Sequence, residues 1–240
     1  MSNTYQQSSR ITPTSLEQDP RNRWLSRGPR FRCDAEVLRD MAMSVAGLIH
    51  HKVGGPSVIP PVPQNVLDYN YVYPSYWTPA TGPERYRRTL YGFRKRSMPD
   101  PVMSSLDAPN GDIPCARRVR SNTPISALTG LNETIFVESA QSLATRILKE
   151  GGEGDTNRAN YGFLLCTSRM PTEGEHNAIL RFIEKERKRI ADGWLSAREV
   201  ATSDSAKTPN LPPNTTPQDA AVWTLVSRVL LNMDETISKN

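Results

Sequence analysis

Apolar positions recur at helical spacing over several stretches of the chain, and between residues 56 and 122 that rhythm stops. The first stretch, Val37, Leu38, Met41, Ala42, Val45, Leu48 and Ile49, predicts an amphipathic helix. Asp34 is placed to cap it, His50, His51 and Lys52 suit its carbonyl end, and Gly54-Gly55-Pro56 stops it. Beyond Arg120, Thr123-Pro124 reads as a cap and first helical residue, opening a short helix through Ala127 and Leu131. Phe136, Ala140, Leu143, Ala144, Ile147 and Leu148 form the stripe of the next helix, which Gly151-Gly152 ends. A shorter helix is expected from about Arg158 to Ser168. Thr172, with Glu175 three residues on, is a capping box that opens a helix burying Ile179, Phe182, Ile183 and Ile190. After a linker from Ser203 to Pro213, Thr216-Pro217 starts a last helix with the stripe Val222, Leu225, Val226, Val229, Leu230, Met233 and Ile237.

Each stripe has to bury itself against another, so the fold expected is mainly α: an irregular helical bundle with long proline-rich loops and at most a short strand pair. Seven prolines from Pro56 to Pro83 exclude a long helix or a central strand there. Tyr69, Tyr71, Tyr73, Tyr76 and Trp77 are expected to pin this arm to the core; the alternative is an aromatic binding platform. Thr89, Tyr91 and Phe93 alternate and predict a short strand over residues 86 to 93. Residues 98 to 113 are expected to be irregular, with Pro109-Asn110-Gly111-Asp112 as a turn. The organisation expected is one domain over residues 1–240: an N-terminal segment with the first helix to 55, an irregular region from 56 to 122, and a helical bundle from 123.

Composition sharpens the charge picture. The 240 residues are 37% hydrophobic, include 20 prolines and carry a net charge of +5. Residues 84 to 120 alone hold nine Arg or Lys against four acids, an excess equal to that of the whole chain. That distribution predicts one locally basic surface on an otherwise balanced protein. No stretch reaches the roughly 20 apolar residues a membrane span requires. Cys33, Cys115 and Cys166 lie far apart, with no Cys-x-x-Cys pair for zinc and no Cys-x-x-Cys-His for haem. His50 and His51 are adjacent and point about 100 degrees apart on a helix end, which does not suit one metal ion. No cofactor or metal is therefore expected on this chain.

Three runs carry a resemblance: Tyr86-Arg87-Arg88-Thr89-Leu90-Tyr91-Gly92-Phe93-Arg94-Lys95-Arg96, Asp107-Ala108-Pro109-Asn110, and Arg117-Arg118-Val119-Arg120-Ser121-Asn122-Thr123-Pro124. With Asp19-Pro20-Arg21-Asn22-Arg23, Gly28-Pro29-Arg30-Phe31-Arg32, Gly54-Gly55-Pro56-Ser57 and Asn232-Met233-Asp234-Glu235, they resemble the PSD-one domain of planctomycetes and related bacteria, a domain of unknown function. The resemblance implies a C-terminal portion of a longer extracytoplasmic protein, with an export signal and a cytochrome c module upstream, so that haem c would belong to a preceding domain. Arg94 departs from the family's usual aromatic residue, and Gly111-Asp112-Ile113-Pro114 from its more charged run.

Arg87, Arg88, Asp107, Arg117, Arg118, Arg120 and Asn122 are the candidate site. Guanidinium forks match sulfate or carboxylate groups, and the helix start at Thr123-Pro124 offers free N–H groups, so the cluster suits an anionic polysaccharide. The structural alternative pairs these arginines with acids such as Asp107 and ties the loops to the bundle. Asp107, Asn110 and Asp112 fall short of a calcium loop and read as turn residues. The leading expectation is a structural or docking module that contacts the parent's upstream domains. The alternatives are part of a polysaccharide-acting enzyme with a cleft shared with a missing domain, and a nucleic-acid binder using the basic region.

Overall fold

A computed structural model describes residues 2–62, 78–96 and 98–239. The expectations for Tyr69, Tyr71, Tyr73, Tyr76 and Trp77 fall outside the described residues. The fold is mainly α. Among the described residues the helices are, in chain order, α1 (Pro13–Gln18), α2 (Ala35–Val45), α3 (Pro101–Ser105), α4 (Pro124–Asn132), α5 (Thr134–Glu150), α6 (Gly154–Thr167), α7 (Glu173–Ala191), α8 (Ala197–Thr202), α9 (Pro217–Leu231) and α10 (Asp234–Ile237).

α9 is the hub. It packs against α4, α5, α6, α7 and α8, and α2 lies against α5 on another side. The expected stripe is only part of its buried surface: Ala221, Val222, Trp223 and Thr224 are all buried in succession, whereas Val229 faces outward. A helix surrounded by others buries nearly every face, so a one-sided stripe understates its contacts. Leu143 and Ile147 of α5, Phe163 of α6, Ile183 of α7 and Met43 of α2 complete the centre. Thr224 fits there by donating its hydroxyl to the Ala220 carbonyl at 2.8 Å.

Three expectations about the elements are corrected. The first helix stops at Val45, four residues early, because Gly47 takes φ +74° and closes the end. Gly47 N–H donates to Ser44 O at 3.0 Å and Leu48 N–H to Met43 O at 2.8 Å, the bonds of a Schellman motif. The last helix is broken at Asn232 and Met233, and α10 follows as a separate turn. Residues 86 to 93 are not a strand: they form the 3-10 turns Gly82–Tyr86 and Thr89–Tyr91, with single bridges from Arg87 to His50 and from Gly92 to Val58. The backbone there is claimed by α2 instead of a neighbouring strand. Arg39 donates to the carbonyls of Arg85 and Arg87 at 3.1 and 3.0 Å, and Asp40 accepts from Thr89 N–H at 2.7 Å.

The strand pair lies elsewhere. β1 (Phe31–Arg32) runs antiparallel to β2 (Ser238–Lys239). The Asn110–Asp112 turn is present, with Gly111 at φ +85° and Asp112 N–H donating to Asn110 Oδ1 at 3.1 Å. α3, unexpected in the irregular stretch, is capped by Asp100, whose carboxylate accepts from Val102 N–H at 2.9 Å. No helix among the described residues is long and apolar enough to cross a membrane.

Candidate functional site

The arginine-rich region lies along α2 and is met there by acids. Asp34, Glu36 and Asp40 pair with four of its nine cations, Arg88, Arg94, Arg118 and Arg120. Arg120 donates to both oxygens of Asp34, at 2.7 and 3.2 Å, and lies 4.6 Å from the centre of the Phe31 ring. Arg118 donates to both oxygens of Glu36, at 2.7 and 3.3 Å, and Arg94 donates to the same carboxylate at 2.5 Å. Arg88 reaches Asp40 at 3.4 Å from a largely exposed position. The Arg120 hydrogen bond holds the Asp34 carboxyl below its ordinary range. Burial pushes Glu36 upward, but Arg118 and Arg94 outweigh it and its pKa is lowered.

Arg87 has no exposed surface. Its Nη1 donates to Pro56 O at 3.0 Å, and its Nη2 to Lys52 O at 3.3 Å and Gly54 O at 2.5 Å. The guanidinium stacks on Tyr91 with 3.9 Å to the ring centre. It is a clamp on the Lys52–Pro56 turn, not a free anion receptor.

Asp107 does not pair with Arg117, Arg118 or Arg120. Its partner is Arg32 of β1, and both its oxygens also accept from the Ser121 hydroxyl, at 3.0 and 2.8 Å. Asp107 sits at φ +61°, a strained backbone that this dense pairing holds in place. Asn122 donates to Asp234 at 3.3 Å, and Arg30 pairs with the same carboxylate. Arg117 alone of the five arginines is without an ion pair among the described residues, and it is exposed. The seven therefore do not converge on one point but are spread along α2 and the chain-end strand pair.

A second charged cluster gave no signal in the sequence beyond its cap. Arg169 donates to Glu175 at 2.9 and 2.7 Å and to Glu235 at 2.8 and 2.6 Å, joining the ends of α6, α7 and α10. The Arg169 hydrogen bonds, with Thr172 N–H, lower the Glu175 pKa to about 2. The cysteines are all free: Cys115 is exposed, Cys33 half-buried, and Cys166 buried with its pKa raised to about 12 by that burial. Among the described residues no three His, Cys, Asp or Glu side chains are grouped to hold a metal ion. His176 Nδ1 is bonded to the Asn160 amide oxygen at 2.9 Å.

No curated protein and no solved structure matches the chain. The family model PSD1, described as a protein of unknown function (DUF1553), matches residues 1–183, about three-quarters of the sequence. That stretch contains all the paired loop motifs except the Asp234 end, and on this match the chain belongs to the PSD1 family of proteins of unknown function.

Proposed function

We propose that the chain is a structural and docking module of a larger extracytoplasmic, cytochrome c-linked protein, with the upstream domains of that parent as its partners. One observation carries this reading: the loop motifs pair with each other and with α2. Arg87 holds the Gly54-Gly55-Pro56 turn, Arg32 holds Asp107, and Arg30 with Asn122 holds Asp234. Arginines so engaged fasten irregular segments to the bundle and present a fixed surface. Haem c, in this reading, is attached to an upstream domain.

The test has two arms. The reading frame upstream of Met1 should continue into a segment with Cys-x-x-Cys-His and an export signal, and that segment, expressed separately, should bind this chain in analytical ultracentrifugation. A ribosome-binding site and an unrelated gene immediately upstream, or no association between the two pieces, would overturn the proposal.

Contact with an anionic polysaccharide is a second reading, favoured by exposed Arg117. Co-sedimentation with dextran sulfate that weakens with salt and with R117A would support it. Equal recovery of both proteins in the supernatant removes it.

A further inference from the structure

Between α2, α4 and the α9–α10 junction lies a cavity of about 340 Å³. Its wall is mostly apolar, with Leu38, Met41, Leu106, Phe136, Leu231 and Ile237 among the contributors. Arg32 is part of the same wall, and its side chain is only 5% exposed. Only Nη2 of Arg32 is used, by Leu106 O at 3.0 Å and by Asp107. Nε and Nη1 are buried and have no hydrogen-bond partner among the described residues. Buried cationic donors without acceptors are costly, and most that persist in proteins meet a partner.

The other polar groups in the wall are engaged. Thr123 Oγ1 accepts from Ser126 N–H at 3.1 Å, and Ser126 Oγ donates to Ser105 O at 2.7 Å, so the α4 start is capped from within. Asn232 donates to Ala127 O at 3.1 Å, and Thr236 to Leu230 O at 2.7 Å. Asp234, the acidic side chain of the wall, is held by Arg30 and Asn122. Arg32 is thus the one wall residue with buried polar atoms left over.

We propose that this cavity binds a small monocarboxylate with an apolar body, its carboxylate taken by the unused face of Arg32 and its body by the Leu38, Met41 and Phe136 wall. The volume lies at the low end for small-molecule sites, which excludes a polymer and fits one short chain or ring. The carboxylate is favoured over a neutral acceptor because a hydrogen bond from a buried guanidinium is strongest to an anion. The inference is independent of the docking role and survives its failure.

The probes are octanoate and octanol, titrated calorimetrically into the full 240-residue chain. Octanoate should bind at least tenfold more tightly than octanol, and R32Q should remove that preference. Ala127 is exposed and lines the cavity, so A127W, which touches neither Arg32 nor Asp107, should fill the space and weaken octanoate at least tenfold while leaving Tm in buffer unchanged. Should R32Q fail to fold, A127W and the octanol comparison still decide. No heat from octanoate, equal affinity for octanoate and octanol, or full affinity in A127W would each overturn the proposal; the first would leave Arg32 to ordered water.

Discussion

Arg87 shows how a charge can be fully buried with its hydrogen bonds going to carbonyls and the Glu84 carboxylate 3.6 Å away. Its fork spans three carbonyls of the Lys52–Pro56 turn, which a lysine ammonium on a flexible stem cannot satisfy together. R87K should therefore cost about 2 kcal/mol, most of it from carbonyls left buried and unpaired. A urea midpoint equal to that of the parent chain would contradict this. Glu175 supplies a pH dependence with a definite sign. Its folded pKa is lowered from 4.5 to about 2, so the stability it contributes is complete above its unfolded value and is lost as pH falls through that window. Tm should fall from about pH 5 to about pH 2, and less steeply in E175Q. Equal slopes would show that Arg169 gives Glu175 no net preference for its charged form. Thiol reactivity separates the cysteines in the same way: exposed Cys115 should react with a disulfide reagent in the native chain, and Cys166 only on unfolding. Early labelling of Cys166 would mean that α6 opens locally.

Helix starts show what could be read and what was passed over. Thr123-Pro124 and Thr216-Pro217 stand before clear apolar stripes, and both begin helices as expected. Thr12-Pro13 and Asp100-Pro101 have the same chemistry and also begin helices, but α1 and α3 have six and five residues, too few to show a period. The short helix α8 was missed for the same reason. Gly47 was hidden because the apolar rhythm continues through Leu48 and Ile49, which pack against the core after the helix has ended. The strand expected at residues 86 to 93 rested on alternation alone, and alternation says nothing about whether a neighbour offers a strand or, as here, the side chains of Arg39 and Asp40. The candidate arginines were legible as a cluster from charge density; their partners on α2 were not, since pairings across 82 and 86 residues leave no local trace. D100A should cost about 1 kcal/mol by removing a cap, and G47A about 1 kcal/mol because alanine resists positive φ. Denaturation midpoints check both, and an unchanged G47A midpoint would mean the end of α2 rearranges freely.

At the scale of the molecule, α9 joins parts that are far apart in the chain. Trp223 is fully buried at its middle, and W223A should cost about 3–5 kcal/mol through the void it leaves. The family match stops at residue 183, within α7, whereas the central helix lies beyond it. A chain ended after Ser203 lacks that helix and should lose cooperative thermal unfolding; a sharp transition by circular dichroism would show that α2 and α5–α7 hold a core unaided. The pairing of β1 with β2 sets a further condition, one of timing. Phe31 meets Lys239, more than two hundred residues later, so these contacts close only after Lys239 has left the ribosome. Until then Arg32 waits without its strand partner, and protease sensitivity of stalled nascent chains should persist until α9 and β2 emerge together.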